Sequence, residues 1–313
     1  MPRRIGVVGC GRWGSKHLQA LRQIAQKESI EAIVACDVDT VALQKARSMG
    51  FQVHDDPETL VKLFQLDAVV IATPNGSHYH LGKQFLQQGV DVFLEKPIAE
   101  TFEHASSLVA TAIQEGKTLK TGFLLRFHPC LVNVRERIRK GEIGAIQSME
   151  YLKKTMRAGD GVSHALDSLA IHGVDLAEFL LDGQGPTRIS EINGSRISTN
   201  LTLEYPNQVE VRIDVGWNSD TNIGKISIVG TEGSILVTLD NHQKFVVLRE
   251  QKQSIVVDSF QTPLEGVLRD FLQNESLSSA ASTGSILRTI NCIDIARQQL
   301  AGSGSLNTRE LKR

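Results

Sequence analysis

The sequence predicts two folded bodies in tandem: a doubly wound parallel α/β domain over residues 1–122 and an α+β domain with a mostly antiparallel open sheet over 123–313. Three observations predict it. A length of 313 residues suits about two domains at roughly 150 residues each. Up to Gly122, apolar runs of four to seven residues alternate with amphipathic stretches, the signature of βαβ units around a parallel sheet. Beyond it, apolar and polar residues alternate singly in short runs separated by turn residues, as in half-buried antiparallel strands.

In chain order, the strands of the first half read as Ile5 to Gly9, Ala32 to Asp37, Ala68 to Thr73, Val90 to Glu95 and, more weakly, Thr118 to Phe123. Their Val- and Ile-rich composition without polar alternation is that of strands covered on both faces. Between them Ser15 to Gln26, Thr40 to Ser48, Pro57 to Phe64, Ser77 to Gln87 and Phe102 to Glu115 carry helical spacing. In the second half a basic helix over Leu131 to Lys140, a strand over Ile146 to Lys153 and a helix over Val162 to Leu181 come first. A hairpin follows, with Leu201, Leu203 and Tyr205 on one arm, Val209 to Val215 on the other, and Pro206-Asn207-Gln208 as its turn. Ile226 to Gly230, Ser234 to Leu239, Phe245 to Leu248 and Ile255 to Val257 extend the sheet, whose polar face suits either solvent or a subunit interface. Pro263 to Leu272 and Ile286 to Leu300 read as closing helices flanking an exposed Ser-rich loop, Ser276 to Ser285.

Composition narrows the function classes. The apolar fraction is 41%, the charged fraction 22% and the formal net charge -1, which offers no basic surplus for a nucleic-acid or membrane-surface partner. The 4 cysteines, Cys10, Cys36, Cys130 and Cys292, lie far apart without metal-ligand spacing, so free thiols in a reducing cytoplasm and no metal are expected. Met1-Pro2-Arg3-Arg4 leads into a strand without the apolar core of a signal peptide, and no run of about 18 apolar residues occurs. A soluble, cytoplasmic protein is expected.

Three sites at strand ends carry chemistry. Gly9-Cys10-Gly11-Arg12-Trp13-Gly14 is a GxGxxG directly after a strand and opening a helix. Its glycines permit a tight turn, backbone approach of a pyrophosphate and close helix–strand packing, and the helix start supplies N–H groups to the anion. About 20 residues further, the second strand ends at Asp37, placed to accept hydrogen bonds from a ribose 2′-hydroxyl and to repel a 2′-phosphate. NAD is therefore favoured, with NADP as the alternative; the competing role for Asp37 is a turn or helix-cap carboxylate. Thr73-Pro74-Asn75-Gly76-Ser77-His78 follows another strand, where Thr73, Asn75 and His78 can line the nicotinamide edge or simply form a loop capped by Ser77. Glu95-Lys96-Pro97 ends the next. Pro97 removes a backbone donor and stops the ladder, leaving Lys96 as the last strand residue, at the sheet edge where ligands bind.

With GxGxxG, the acidic second-strand end, ATPNxxH (Ala72 to His78), EKP (Glu95 to Pro97), the Gly122 to Pro129 stretch with Arg126-Phe127, and HxxD (His172 to Asp175) in this order, the chain resembles the glucose–fructose oxidoreductase, inositol dehydrogenase and rhizopine catabolism family, Gfo/Idh/MocA. The resemblance spans nearly the whole chain. It implies an N-terminal Rossmann domain, a C-terminal α+β domain whose open sheet packs in homo-oligomers, a held nicotinamide cofactor contacted by Gly9, Gly11, Arg12, Trp13, Gly14, Asp37, Thr73, Asn75, His78, Glu95, Lys96 and Arg126, and catalysis by Lys96 and His172.

That pairing is chemically sound for NAD(P)-dependent interconversion of a secondary alcohol and a ketone on a sugar, cyclic polyol or sugar nucleotide. A histidine, with an ordinary pKa near 6.5, accepts the hydroxyl proton at neutral pH; an ammonium on the same oxygen stabilises the developing alkoxide. Asp175, three residues after His172 on one helix face, is expected to orient the ring, the alternative being a partner elsewhere. Many family members carry Asp or Asn four residues before the histidine; here that position is Ser168, and Asp167 is offset by one residue, a rotation of about 100° in an α-helix. Ser168, Asp175 and Arg157 are the expected substrate contacts. Arg126, Arg157 and His164 can meet hydroxyls, a carboxylate or a nucleotide phosphate, or stay solvated. Two other readings stand beside dehydrogenation: an NAD(P)-binding sensor without chemistry, and a glycosidase that oxidises its substrate transiently.

Overall fold

The computed structural model describes residues 3–159, 161–259, 261–273 and 279–302. Met1, Pro2, Asp160 of the glycine-broken loop, Ser276 to Ser278 of the Ser-rich loop and the C-terminal stretch therefore lie outside the described residues. The chain divides into two compact units, Met1–Leu124 with Leu264–Thr283, and Leu125–Pro263 with Gly284–Arg313.

The first unit alternates strands and helices: β1 (Arg3–Val8), α1 (Arg12–Ala25), β2 (Ile30–Cys36), α2 (Thr40–Ser48), β3 (Gln52–His54), α3 (Pro57–Phe64), β4 (Ala68–Ile71), α4 (His78–Gln87), β5 (Asp91–Leu94), α5 (Phe102–Gln114) and β6 (Leu119–Thr121). Its 6-stranded sheet runs β3-β2-β1-β4-β5-β6, with every pair parallel. The strand order reverses between β1 and β4, the switch point beyond which open α/β sheets bind ligands. Strands β4 and β5 are buried almost throughout, which explains their unbroken apolar composition. Helix starts follow local chemistry: Asp39 and Asp56 accept the N–H groups of Val41 and Glu58, and Thr101 accepts that of His104.

Two differences from expectation concern this unit. The short β3 is too brief for periodicity to reveal. The helix after Pro263, expected in the second domain, belongs to the first unit. On α8 (Pro263–Gln273), Phe271 is fully buried beside Phe93, ring centroids 5.7 Å apart. Lys120 Nζ lies 2.9 Å from buried Asp270, and Arg3 Nη1 donates to the Leu272 carbonyl at 2.9 Å.

The second unit holds α6 (Pro129–Arg139), β7 (Ile146–Lys154), a π-helical turn (Leu166–Ala170), α7 (Ile171–Leu180), β8 (Arg188–Ser195), β9 (Ser198–Tyr205), β10 (Val209–Gly216), β11 (Ile223–Gly230), β12 (Ser234–Thr238), β13 (Lys244–Leu248), β14 (Lys252–Val256) and α9 (Thr283–Ala301). Its 8-stranded sheet runs β14-β13-β12-β11-β7-β10-β9-β8; β7 and β10 are parallel and the other pairs antiparallel. The β9–β10 hairpin turns at Asn207 and Gln208, both with positive φ, a conformation Asn adopts more readily than most residues. Helix α7 lies so close to the sheet that a Cβ on Gly173 would sit 2.7 Å from the Tyr151 ring. The start of α9 replaces the exposed end expected of the Ser-rich loop, and Ser285 there is buried.

Phe271→Ala tests the allegiance of α8. It is expected to destabilise the first unit by about 3–5 kcal/mol, read by urea unfolding through the fluorescence of Trp13 in a Trp217→Phe background. An unchanged Trp13 transition would place α8 elsewhere.

Candidate functional site

In the first unit, β1 leads into a loop whose glycines are required by contact. Gly9 has φ +88°, and a Cβ there would lie 2.7 Å from the Ala72 carbonyl carbon; a Cβ on Gly14 would lie 1.7 Å from the Gly9 carbonyl oxygen. Around Gly11, by contrast, a Cβ would meet nothing within 4 Å. Gly11 is the N-cap of α1, no side chain caps that end, and its first turn holds no acid. An open approach to uncapped helix N–H groups is what a pyrophosphate requires, so the residues fit a dinucleotide.

Asp37 directly follows β2. Its carboxylate accepts from the Cys10 amide at 2.6 Å and the Asp39 amide at 2.9 Å, bracing the glycine loop from the neighbouring strand end. Carboxylate oxygens have about four acceptor positions, so capacity remains for ribose hydroxyls. The helix cap in this turn is Asp39. Arg12 is exposed, and Trp13 is half-buried under the Lys16 ammonium, 4.5 Å from the ring centre.

Beyond β4, Ser77 occupies the N-cap position of α4 but its hydroxyl bonds within the loop rather than capping the helix: it donates to the Pro74 carbonyl and can accept from Thr73 Oγ1, both at 2.8 Å. Asn75 opens a 3-10 turn and is half-buried. His78 is buried, with Nε2 2.9 Å from the Thr73 carbonyl and Nδ1 2.8 Å from the Pro97 carbonyl. It thus ties two strand-end loops together, and its ring is turned inward rather than toward a ligand.

Beyond β5 the ladder ends one residue earlier than expected. Glu95 N–H still reaches the Ile71 carbonyl at 2.9 Å, but the Lys96 N–H turns to Glu95 Oε2 at 3.2 Å, and a cis peptide joins Lys96 to Pro97. Lys96 is half-buried in the loop, not on the strand. Glu95, expected as a cofactor contact, is instead buried with Oε1 2.8 Å from His17 Nε2 on α1. Burial raises its pKa, but His17 and Lys96 outweigh that and the carboxyl lies below its ordinary value. His17 was not singled out from the sequence. The available signal was a histidine in the inward stripe formed with Leu18, Leu21 and Ile24.

In the second unit, His172 is the second residue of α7 and half-buried. Asp175 does not serve it: the carboxylate is buried and accepts from Arg126 Nε at 2.7 Å. Arg126, expected at the cofactor, is itself buried, donates to Ser285 Oγ and lies over the Phe179 ring at 5.5 Å. Burial pushes Asp175 up to about 7 against the opposing pull of Arg126, with Glu178 adding to the rise. Helical spacing put Asp175 near His172, but α7 turns Asp175 into the core, where an unpaired carboxylate is costly. Arg157 is exposed, its amide donating to Thr155 Oγ1 at 3.2 Å. His164 is half-buried and its pKa is lowered, chiefly by burial.

Ser168 lies in a π turn. The Ile171 amide bonds to the Leu166 carbonyl, five residues back, so this turn accommodates one residue more than an α-helical turn. The rotation of about 100° between Asp167 and Ser168 belongs to an unbroken α-helix. Inside a π turn that rotation per residue is smaller, so Asp167 and Ser168 both fall about one turn ahead of His172. Asp167 pairs with Arg297 of α9, and Ser168 is half-buried.

The NAD-binding Rossmann-fold profile of the GFO/IDH/MocA oxidoreductases matches residues 3–123, and the family's C-terminal domain profile matches residues 131–236. The chain belongs to this oxidoreductase family. Among similar GFO/IDH/MocA relatives, the scyllo-inositol 2-dehydrogenase (NAD(+)) of Bacillus subtilis is 26% identical over 83% of this chain and 81% of its own length. An inositol 2-dehydrogenase of Saccharopolyspora erythraea is 27% identical over 75% and 73%. The fold matches a levoglucosan dehydrogenase solved with NADH and levoglucosan, TM-score 0.85 at 18% identity over 99% and 100% of the two chains.

At pH 8, where the Asp175 carboxylate is charged, Asp175→Ala leaves Arg126 without its counter-charge and is expected to cost about 3–5 kcal/mol in urea unfolding. The titration gives a second check. A folded-state value near 7 against an ordinary 3.8 means the folded chain holds the extra proton between those values, so this contribution is greatest below about pH 4 and is lost as pH rises through 7. Asp175→Asn is expected to remove that slope from a plot of stability against pH; an unaltered slope would assign it to another group.

Proposed function

We propose that the protein is an NAD-dependent dehydrogenase that oxidises a ring hydroxyl of a cyclic polyol or sugar to a ketone. The observation that carries this reading is the uncapped start of α1 at Gly11, braced by Asp37, in a chain whose inositol dehydrogenase relatives match it over most of both lengths. The Asp37 carboxylate beside the loop supports NAD over NADP, because a 2′-phosphate there would meet like charge.

When bound, the nicotinamide accepts the hydride from the substrate carbon. The protein's own work is then proton and charge management. His172 takes the hydroxyl proton on a ring nitrogen, and the Lys96 ammonium donates a hydrogen bond to the same oxygen as it gains negative charge. Asp167, in the π turn that leads into His172, supports the imidazolium, with Arg297 holding the carboxylate. Ser168 and Arg157 are substrate contacts by hydroxyl and guanidinium chemistry.

The reading extends to a homo-oligomeric cytoplasmic enzyme. Cys10, Cys36, Cys130 and Cys292 are all free thiols, as a reducing compartment favours. Val229, Leu236 and Leu248 are 41%, 38% and 41% exposed on paired strands of the second-unit sheet, an apolar face suited to a second copy. Light scattering of the purified protein reads that state.

The purified protein is expected to reduce NAD with scyllo- or myo-inositol, to bind NADH more tightly than NADPH, and to lose about 10²–10⁴-fold in kcat/KM in Lys96→Ala and His172→Ala. Full turnover in either variant, or no nicotinamide binding, would sink the assignment. Asp167→Asn is expected to lower kcat by on the order of 10²-fold and move its pH profile, while Ser168→Ala changes kcat by about twofold or less. The reverse ranking would return the helix partner to Ser168.

A further inference from the structure

Glu95 is a buried carboxylate whose contacts, among the described residues, lie inside the first unit. One oxygen meets His17 Nε2 at 2.8 Å and the other accepts the Lys96 amide at 3.2 Å. On its third side is Gly122, just past β6, where a Cβ would lie 2.9 Å from Glu95 Oε2, so the carboxylate fills the place of that missing side chain. His17 is fully buried on α1, five residues beyond the start of that helix, with its ring edge-on to Phe93 at 5.4 Å. Among the described residues its Nδ1 has no partner, so the geometry assigns the ring hydrogen to Nε2, which donates to Glu95.

This arrangement is costly to build. A carboxylate taken out of water must be matched by donors, and a buried imidazole nitrogen left without one adds to the cost. What it achieves is a fixed connection from α1, whose start faces the dinucleotide, to the backbone of Lys96 two strands away in the sheet. A hydrophobic pair would hold the layers together equally well but would not fix the Lys96 amide.

We propose that His17 and Glu95 are positioning residues for Lys96, coupling the helix at the nucleotide loop to the residue that stabilises the developing alkoxide. The proposal rests on the assignment of Lys96 to catalysis made above. His17 touches neither substrate nor cofactor; it acts through Glu95.

The test compares three substitutions. Glutamine reproduces the reach of Nε2, whereas asparagine and alanine do not. With scyllo-inositol and NAD, His17→Ala and His17→Asn are expected to lower kcat by on the order of 10²-fold, as a misplacement of about 1 Å does, with KM for NAD changed by about threefold or less; His17→Gln is expected to recover most of kcat. An activity-independent reading accompanies it: the rate at which Lys96 is acetylated by N-hydroxysuccinimidyl acetate, followed by mass spectrometry relative to exposed Lys45. That ratio is expected to change severalfold in His17→Asn and return to wild type in His17→Gln. Equal kcat and equal Lys96 labelling in Asn and Gln variants would overturn the proposal. If His17→Ala does not fold, the Asn and Gln pair decides alone. If the wild-type protein turns over no polyol, the dehydrogenase assignment fails, and the labelling ratio still decides whether His17 positions Lys96.

Discussion

The structure depends first on a steric constraint, the closeness with which α1 crosses the end of β1. With 1.7 Å between the Gly9 carbonyl oxygen and a Cβ on Gly14, only glycine permits the helix to start there at all. That approach fixes the direction of α1, and with it the uncapped N–H groups at its start and the inward stripe of His17, Leu18, Leu21 and Ile24. The Asp37 brace, the strand order and the contact with Glu95 follow from a helix already aimed. A methyl group at position 14 would therefore disturb cofactor loop and lysine together, although Lys96 is remote in sequence.

Both units bury an ionisable pair, and the two are built differently. In the first unit an imidazole and a carboxylate share one short contact, and the second carboxylate oxygen is used on backbone. In the second unit the Arg126 fork spreads over Asp175 and Ser285 and lies on Phe179, the multiple-donor geometry in which guanidinium is best held away from water. Buried pairs of this kind are weak sources of net stability, since desolvation offsets most of the attraction. Their effect is to penalise alternatives: neither α1 nor α7 can rotate without leaving a charge unmatched.

Much of the first unit was legible because its determinants are local. The glycine spacing and the unbroken apolar strands each involve residues close in sequence. What was illegible depends on distant partners. Arg126 reads as a basic residue near a substrate until Asp175 and Ser285 arrive from 49 and 159 positions away. Likewise α8 is an amphipathic helix wherever it packs, and its contacts with Phe93, Lys120 and Arg3 show which unit claims it. The outer strand β8 was missed because most of its residues are at least partly exposed, leaving almost no apolar alternation to read. Of the proposed site, Lys96, His172 and the nucleotide loop stand in motifs that can be read along the chain; His17 was hidden because a histidine in an apolar stripe has no motif of its own.

The π turn before His172 has a consequence for how the helix is counted. A residue added inside a helix normally either rotates everything before it or is expelled into a loop. Here the addition is contained within one turn, leaving the helix that follows, and the strands it rests on, undisturbed. The widened turn thus takes up one residue more than an α-helical turn while α7 continues from it as ordinary α-helix, so a residue before the turn faces His172 at a spacing that a simple helical count misassigns.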